Sequence, residues 1–255
     1  MIFGYSIWAV LFICIGVFCA SFIDAIGGGG GIISVPVYLL AGLPSHIALG
    51  TNKLSSTVGT AASTFRYIKN GFVDWTLALP AVALALIGGH FGTRLQLMMD
   101  EKYLQYLLLI VLPVVAVVML RKKELPEQMG ELSPWVRRGI VWGASFLLGG
   151  YDGFYGPGTG TFLLLIYCFL AKQDVRTASG NVKLVNLASN IGSVFTSLAA
   201  GKVLIPIGII SGLFSIAGHY LGAGLTIKNG SRIVRPVLMI VITLLAVKII
   251  TELFS

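Results

Sequence analysis

Charge is scarce in this sequence, and acidic charge is scarcest: 10 of 255 residues are Asp or Glu against 18 Lys or Arg, together 11% of the chain. Soluble domains carry roughly 25% charged residues, so a water-facing globule is excluded. No polar stretch is long enough for a separate soluble domain. Cysteines number 3, all in apolar sequence and without metal-ligand spacing. Cys14, Cys19 and Cys168 therefore read as small buried hydrophobes rather than a disulfide framework or metal site. His46, in a short loop after Pro44, and His90 and His219, beside glycines in apolar spans, also lack such spacing. They are left with hydrogen-bonded packing or proton coupling. No nucleophile and base cluster supports an intramembrane enzyme, and no glycine run ends in the Gly-Lys-Ser/Thr of a nucleotide-binding loop. Neither a cofactor nor an ATP-driven pump is expected.

What the chain has instead is apolar length. Hydrophobic residues make up 56% and the mean hydropathy is +0.90. A bilayer-crossing helix needs roughly 20 predominantly apolar residues. Gly4 to Ile23, Trp75 to Leu97, Tyr103 to Leu120, Val203 to Ile227 and Val234 to Phe254 qualify. The first lacks a basic leading region and exceeds the roughly 7–15-residue apolar core of a signal peptide, so it belongs to the fold. Trp8, Trp75, Trp135 and Trp142 fall close to expected span ends, as interfacial anchors do. The expected class is an all-α polytopic membrane protein.

The sequence also repeats itself. Gly50, Lys53, Leu54, Ser63, Phe65, Gly71, Gly88 and Gly92 recur 130 positions later as Gly180, Lys183, Leu184, Ser193, Phe195, Gly201, Gly218 and Gly222. Upstream, Asp24 with the glycines at 27 to 31 returns as Asp152 with Gly156, Gly158 and Gly160. The expected organisation is a first repeat over 1–120, a cytoplasmic linker over 121–134 and a second repeat over 135–255. Each repeat reads as five helical pieces: one entering the glycine-rich break, one leaving it, a polar Ser/Thr/Asn-rich helix and two apolar spans. Each break is either a broken helix or a re-entrant hairpin. An odd number of crossings turns the second copy upside down, giving two inverted repeats. Loop charge agrees, because inversion puts twelve basic residues on the cytoplasmic side and four outside. Both termini are then non-cytoplasmic.

Lys53 and Lys183 occupy matching places, and a lysine inside a membrane is costly and usually functional. They either converge on one anion, snorkel to the interface, or neutralise an aspartate. Asn52, Asn186 and Asn190 accompany them, and Lys183, Asn186 and Asn190 share one helical face. These amides either complete an anion shell or bond helix to helix. Gly28, Gly29, Gly30, Gly156 and Gly158 either free backbone N–H groups for an anion or permit close packing. Asp24 and Asp152 have three readings: helix caps, ion-pair partners of a lysine, or proton carriers. Gly88, Gly92, Gly218, Gly222 and Gly224 form small-residue stripes suited either to close helix approach or to one bundle sliding on the other during alternating access.

Phe22-Ile-Asp24 with its glycine run and Pro36, Thr51-Asn52-Lys53-Leu54, Tyr151-Asp152-Gly-Phe-Tyr-Gly-Pro and Lys183-Leu-Val-Asn186-Leu-Ala-Ser-Asn190-Ile-Gly192 resemble the TauE/SafE sulfite exporter family, especially its YfcA-like branch. The resemblance spans nearly the whole chain. It implies a multi-pass secondary transporter of the prokaryotic cytoplasmic (inner) membrane, with sulfur oxyanions or organosulfonates such as sulfite, thiosulfate or sulfoacetate as cargo. The expected partners are a small anionic substrate and the lipid bilayer, with a homo-oligomer possible in principle. Nucleic acid is not expected, since basic residues sit in short loops rather than in a patch. A passive anion channel and a membrane scaffold remain as alternatives.

Overall fold

The computed structural model describes residues 4–100, 103, 126–234 and 236–237, and among them all regular structure is helical. Eight α-helices are described: α1 Ile7–Gly27, α2 Gly31–Leu40, α3 Ser45–Lys69, α4 Trp75–Met98, α5 Pro134–Phe154, α6 Thr159–Leu165, α7 Val175–Ala199 and α8 Ile205–Asn229. A π-helical turn, Ile166–Leu170, extends α6. The expected spans at 103–120 and 234–254 lie almost entirely outside the described residues, as do Arg121 to Lys123 of the linker. Four of the five expected pieces of each half are therefore seen.

Helices α1, α4 and α8 are long and apolar enough to cross a membrane; α1, at 21 residues, is about 32 Å long. Their ends are set locally. Ser6 caps α1 by accepting from the Ala9 N–H, and Asp74 caps α4 by accepting from Thr76 and Leu77. Asp174 does the same for α7 with Arg176 and Thr177. His46, expected in a loop, lies in the first turn of α3, where its ring meets the Gln96 amide.

Both short helices double back. Val37 of α2 lies against Gly16 of α1, eleven residues before that helix ends, so α2 returns antiparallel along α1. In the second half the Tyr167 hydroxyl meets Ser145 at 2.7 Å, so the chain after the break returns along α5. Each glycine-rich break is thus the tip of a helical hairpin.

The two polar helices, α3 and α7, pack on each other in the centre. Around them α3 packs on α8 and α7 on α4, while α1 packs on α8 and α5 on α4. Every one of these contacts recurs when the halves are exchanged. Polarity runs inward: Thr51, Asn52, Lys53 and Ser63 of α3 and Asn181, Lys183, Asn186 and Ser193 of α7 are buried, whereas Phe65 and Phe195 face outward. Such a distribution suits lipid, where apolar surface costs nothing to expose and polar side chains must find partners inside.

The glycine stripes serve packing. A Cβ on Gly88 or Gly92 of α4 would meet the α5 backbone at Phe146, Gly149 or Gly150, and one on Gly218 or Gly222 of α8 would meet the α1 backbone at Phe18 or Phe22. Two further expectations change on contact with the fold. Cys19 is exposed on the outer face of α1 while Cys14 and Cys168 are buried, because neighbouring positions on a helix need not share a face. Trp142 lies within α5 rather than at its end, and its indole donates to the Leu77 carbonyl at 3.2 Å.

Candidate functional site

The tips of the two hairpins meet. Gly28 has φ +75°, and a side chain there would run into the backbone of Gly160 and Thr161. Only glycine satisfies both the left-handed conformation and the contact. Gly31 lies against Pro157, and the Thr161 hydroxyl donates to the Gly27 carbonyl at 2.9 Å. The two breaks, 128 positions apart by their aspartates, form one structure.

Around this junction lies a polar cavity. It is lined by Asp24, Gly29, Gly30, Gly31 and Ser34 of the first hairpin, and by Asp152, Gly156, Pro157, Thr159 and Gly160 of the second. Asn52, Lys53, Ser56 and Thr60 come from α3, Asn186 and Asn190 from α7, and His219 from α8. Of the site residues expected from sequence, Asp24, Gly29, Gly30, Asn52, Lys53, Asp152, Gly156, Asn186 and Asn190 are brought together here. Gly28 and Gly158 shape the hairpin tips without lining the cavity. Lys183 stands behind Asp24.

The lysines and aspartates pair across the halves. Lys53 Nζ is 2.8 Å from Asp152 Oδ2 and donates to Asn190 Oδ1 at 3.1 Å. Lys183 Nζ is 2.6 Å from Asp24 Oδ2 and also donates to the Asp24 backbone carbonyl. Both ammonium groups are buried, so neither snorkels. With charges this far from water, each ion must be paired and hydrogen-bonded to be tolerated. The remaining carboxylate bonds follow that requirement. Asp24 Oδ1 accepts from the Gly30 N–H at 3.0 Å, just ahead of α2, and Asp152 Oδ2 accepts from the Ser189 hydroxyl at 2.6 Å. Asp24 is therefore an ion-pair partner whose second oxygen holds the backbone of the break.

Two features escape that saturation. The Oδ1 atoms of Asn52 and Asn186 are buried without a hydrogen-bond partner among the described residues, as is Nδ1 of His219. All three side chains line the cavity. A half-turn of either amide presents N–H donors in place of the oxygen, so the pair can serve an anion. His219 Nε2 stands 3.9 Å from Asp24 Oδ2. Sequence reasoning placed His219 only beside a glycine. Its partner lies 195 positions away, and nothing local signals that approach.

Among the described residues no group of three or more His, Cys, Asp or Glu could hold a metal ion. The arrangement suits reversible binding of a small polar solute, because it combines fixed opposite charges, amides and closely approaching backbone in a pocket walled by membrane helices.

Comparison with known proteins gives a consistent picture. A family model described as Sulfite exporter TauE/SafE matches residues 13–249. A protein of Sinorhizobium sp. named Probable membrane transporter protein ORF9 is 32% identical over 243 residues, covering 94% of this chain and 92% of that protein. A Probable membrane transporter protein of Haemophilus influenzae is 31% identical over 250 residues, covering 98% of this chain and 96% of its own. The Probable membrane transporter protein YfcA of Escherichia coli K12 is 29% identical over 239 residues, 91% of this chain and 86% of that one. No solved structure gives a significant match.

Proposed function

Because the chain belongs to the sulfite exporter TauE/SafE family, and so is a membrane transporter rather than an enzyme, we propose that it carries small anions, of the sulfur oxyanion or organosulfonate type, by alternating access. The cargo binds in the cavity between the hairpin tips. Lys53 supplies positive charge directly, Asn52 and Asn186 supply amide donors, Asn190 holds the Lys53 ammonium, the glycines at 29, 30 and 156 let backbone approach the ligand, and Gly28 and Gly158 set the shape of the tips that carry them. Lys183 contributes charge from behind Asp24.

The observation that carries this reading is the pair of exchanged ion pairs, Lys53 with Asp152 and Lys183 with Asp24. Buried lysine and aspartate held in one polar cavity, beside amides with unused hydrogen-bonding capacity, fit a site whose bonds are re-made with each transport cycle. The same exchange of partners, and of the contacts around α3 and α7, supports two repeats, 1–120 and 135–255, joined by the 121–134 linker and inverted in the membrane. In that arrangement the site sits between the halves, and rocking one against the other opens it to either side. We place the protein in the inner membrane with both termini outside the cytoplasm.

The test is uptake into vesicles holding the purified protein, offered sulfite, thiosulfate, sulfoacetate and control anions. Saturable uptake of a sulfur anion that falls at least about tenfold in Lys53→Ala and in Lys183→Ala supports the proposal. Unsaturable conduction would make the protein a channel. Unchanged uptake in both variants removes the lysines from the site.

A further inference from the structure

The two ion pairs are not equivalent. Asp152 is closed in by two hydrogen-bond donors: the Lys53 ammonium at 2.8 Å and the Ser189 hydroxyl at 2.6 Å. Asp24 has a lysine at 2.6 Å but, in place of a serine, the imidazole of His219 at 3.9 Å. The side chain of Asp24 is also more exposed, 19% against 9% for Asp152.

The sequence built this difference by a reciprocal exchange. By the 130-residue offset, Ser189 corresponds to Gly59 and His219 to Gly89. A Cβ on Gly59 would meet His219 and Ser215, and one on Gly89 would meet the Ser189 backbone. The His219 ring thus faces a glycine that makes room for it, and the backbone that carries Ser189 packs closely on another. On one side the polar group comes from the central helix α7, and on the other from α8.

We infer that Asp24 and His219 form a proton-binding site that couples anion movement to proton movement, an assignment that rests on the anion-transport reading above. With both pairs ionised and His219 neutral, the lysine and aspartate charges of the site sum to zero. An anion entering it gains no net attraction. Asp24 stands between Lys183 and the cavity, so its carboxylate masks that ammonium. When a proton from water binds the Asp24 carboxylate, directly or through His219, the mask is removed and Lys183 presents an uncompensated positive charge. The anion then enters as the counterion, and anion and proton cross together. On release, Asp24 gives its proton back to water and closes on Lys183 again. His219 acts as the relay, with Nε2 towards Asp24 and an Nδ1 that has no partner among the described residues to take up or give a proton.

Other charged or titratable groups near this site are already engaged. Tyr67 of α3 donates to the Ala25 carbonyl at 3.3 Å, and Arg66 of α3 donates to the Tyr220 carbonyl at 2.6 Å. Lys53 and Asp152 bond each other on the far wall.

The experiment adds thiosulfate and then sulfoacetate, neither of which titrates near neutral pH, to purified protein in weakly buffered detergent solution, following anion binding and pH together. The wild type is expected to take up about one proton per anion bound. His219→Gln and Asp24→Asn are expected to bind anion saturably with proton uptake reduced about tenfold, and to lose the pH dependence of binding. His90→Gln, whose ring bonds Thr196 outside the cavity, is expected to match the wild type. Wild-type anion binding without proton uptake, or undiminished uptake in His219→Gln, overturns the coupling while leaving anion transport standing. Failure of every anion to bind the wild type overturns both.

Discussion

Lys183 reaches across 159 residues to place its ammonium 2.6 Å from the Asp24 carboxylate, and Lys53 repeats the act in the opposite direction with Asp152. In these two pairs neither half of the chain neutralises its own buried charge. A half folded alone would leave a lysine and an aspartate unmatched in an apolar surrounding, so the pairing makes the two halves depend on each other.

That dependence predicts a rescue. Lys53→Met strands the Asp152 carboxylate and is expected to destabilise the protein by about 3–5 kcal/mol. Adding Asp152→Asn removes the stranded charge and is expected to recover most of the loss, though not transport. Thermal unfolding in detergent measures both, and a double variant no more stable than the single one would show that the pair is not what holds the region.

The unpartnered amides predict a different pattern. Asn52→Leu or Asn186→Leu removes a buried oxygen that bonds nothing among the described residues, so stability is expected to hold or rise. Anion affinity is expected to fall about tenfold, the loss of roughly one hydrogen bond to a charged group. Calorimetric titration and a melting curve on the same sample separate the two effects, and a fall in stability without a change in affinity assigns the amides to packing.

Helix contacts supply a third prediction. Gly92→Ala drives a methyl group into the Gly150 carbonyl, backbone that cannot step aside, and is expected to cost about 1–3 kcal/mol. Gly143→Ala on the outer face of α5 meets nothing within 4 Å and is expected to stabilise by about 0.5–1 kcal/mol through helix propensity. Equal effects at the two positions would contradict the close approach of α4 and α5.

Inversion is tested by position alone. A reporter active only in the cytoplasm is expected to report when inserted in the 121–134 linker and to stay silent when fused after Ser255. Activity at both places would mean the halves run the same way, and the rocking mechanism would need another basis.

Much of this was legible in the sequence because the signals were local or periodic. The apolar spans, the polar face carrying Lys183, Asn186 and Asn190, and the helix breaks at 27 to 31 and 156 to 160 all follow from residue type and spacing. The recurrence of lysine and aspartate in both halves marked them as one set. What spacing does not carry is which lysine meets which aspartate, since pairing within a half and pairing between halves satisfy the same sequence. The approach of His219 to Asp24 is hidden for the same reason, and only the paired glycines at 59 and 89 hint at it. Cys19 misled because an apolar stretch reads alike whether it faces protein or lipid.

The bond from the Thr161 hydroxyl to the Gly27 carbonyl, with Gly28 pressed on Gly160, fastens the tip of one hairpin to the tip of the other. Parting them breaks that bond and gives up a contact with no side chain between. A conformational step that begins at one tip is therefore felt at once by its neighbour. The two hairpins, far apart in sequence, are joined at their tips as one mechanical piece.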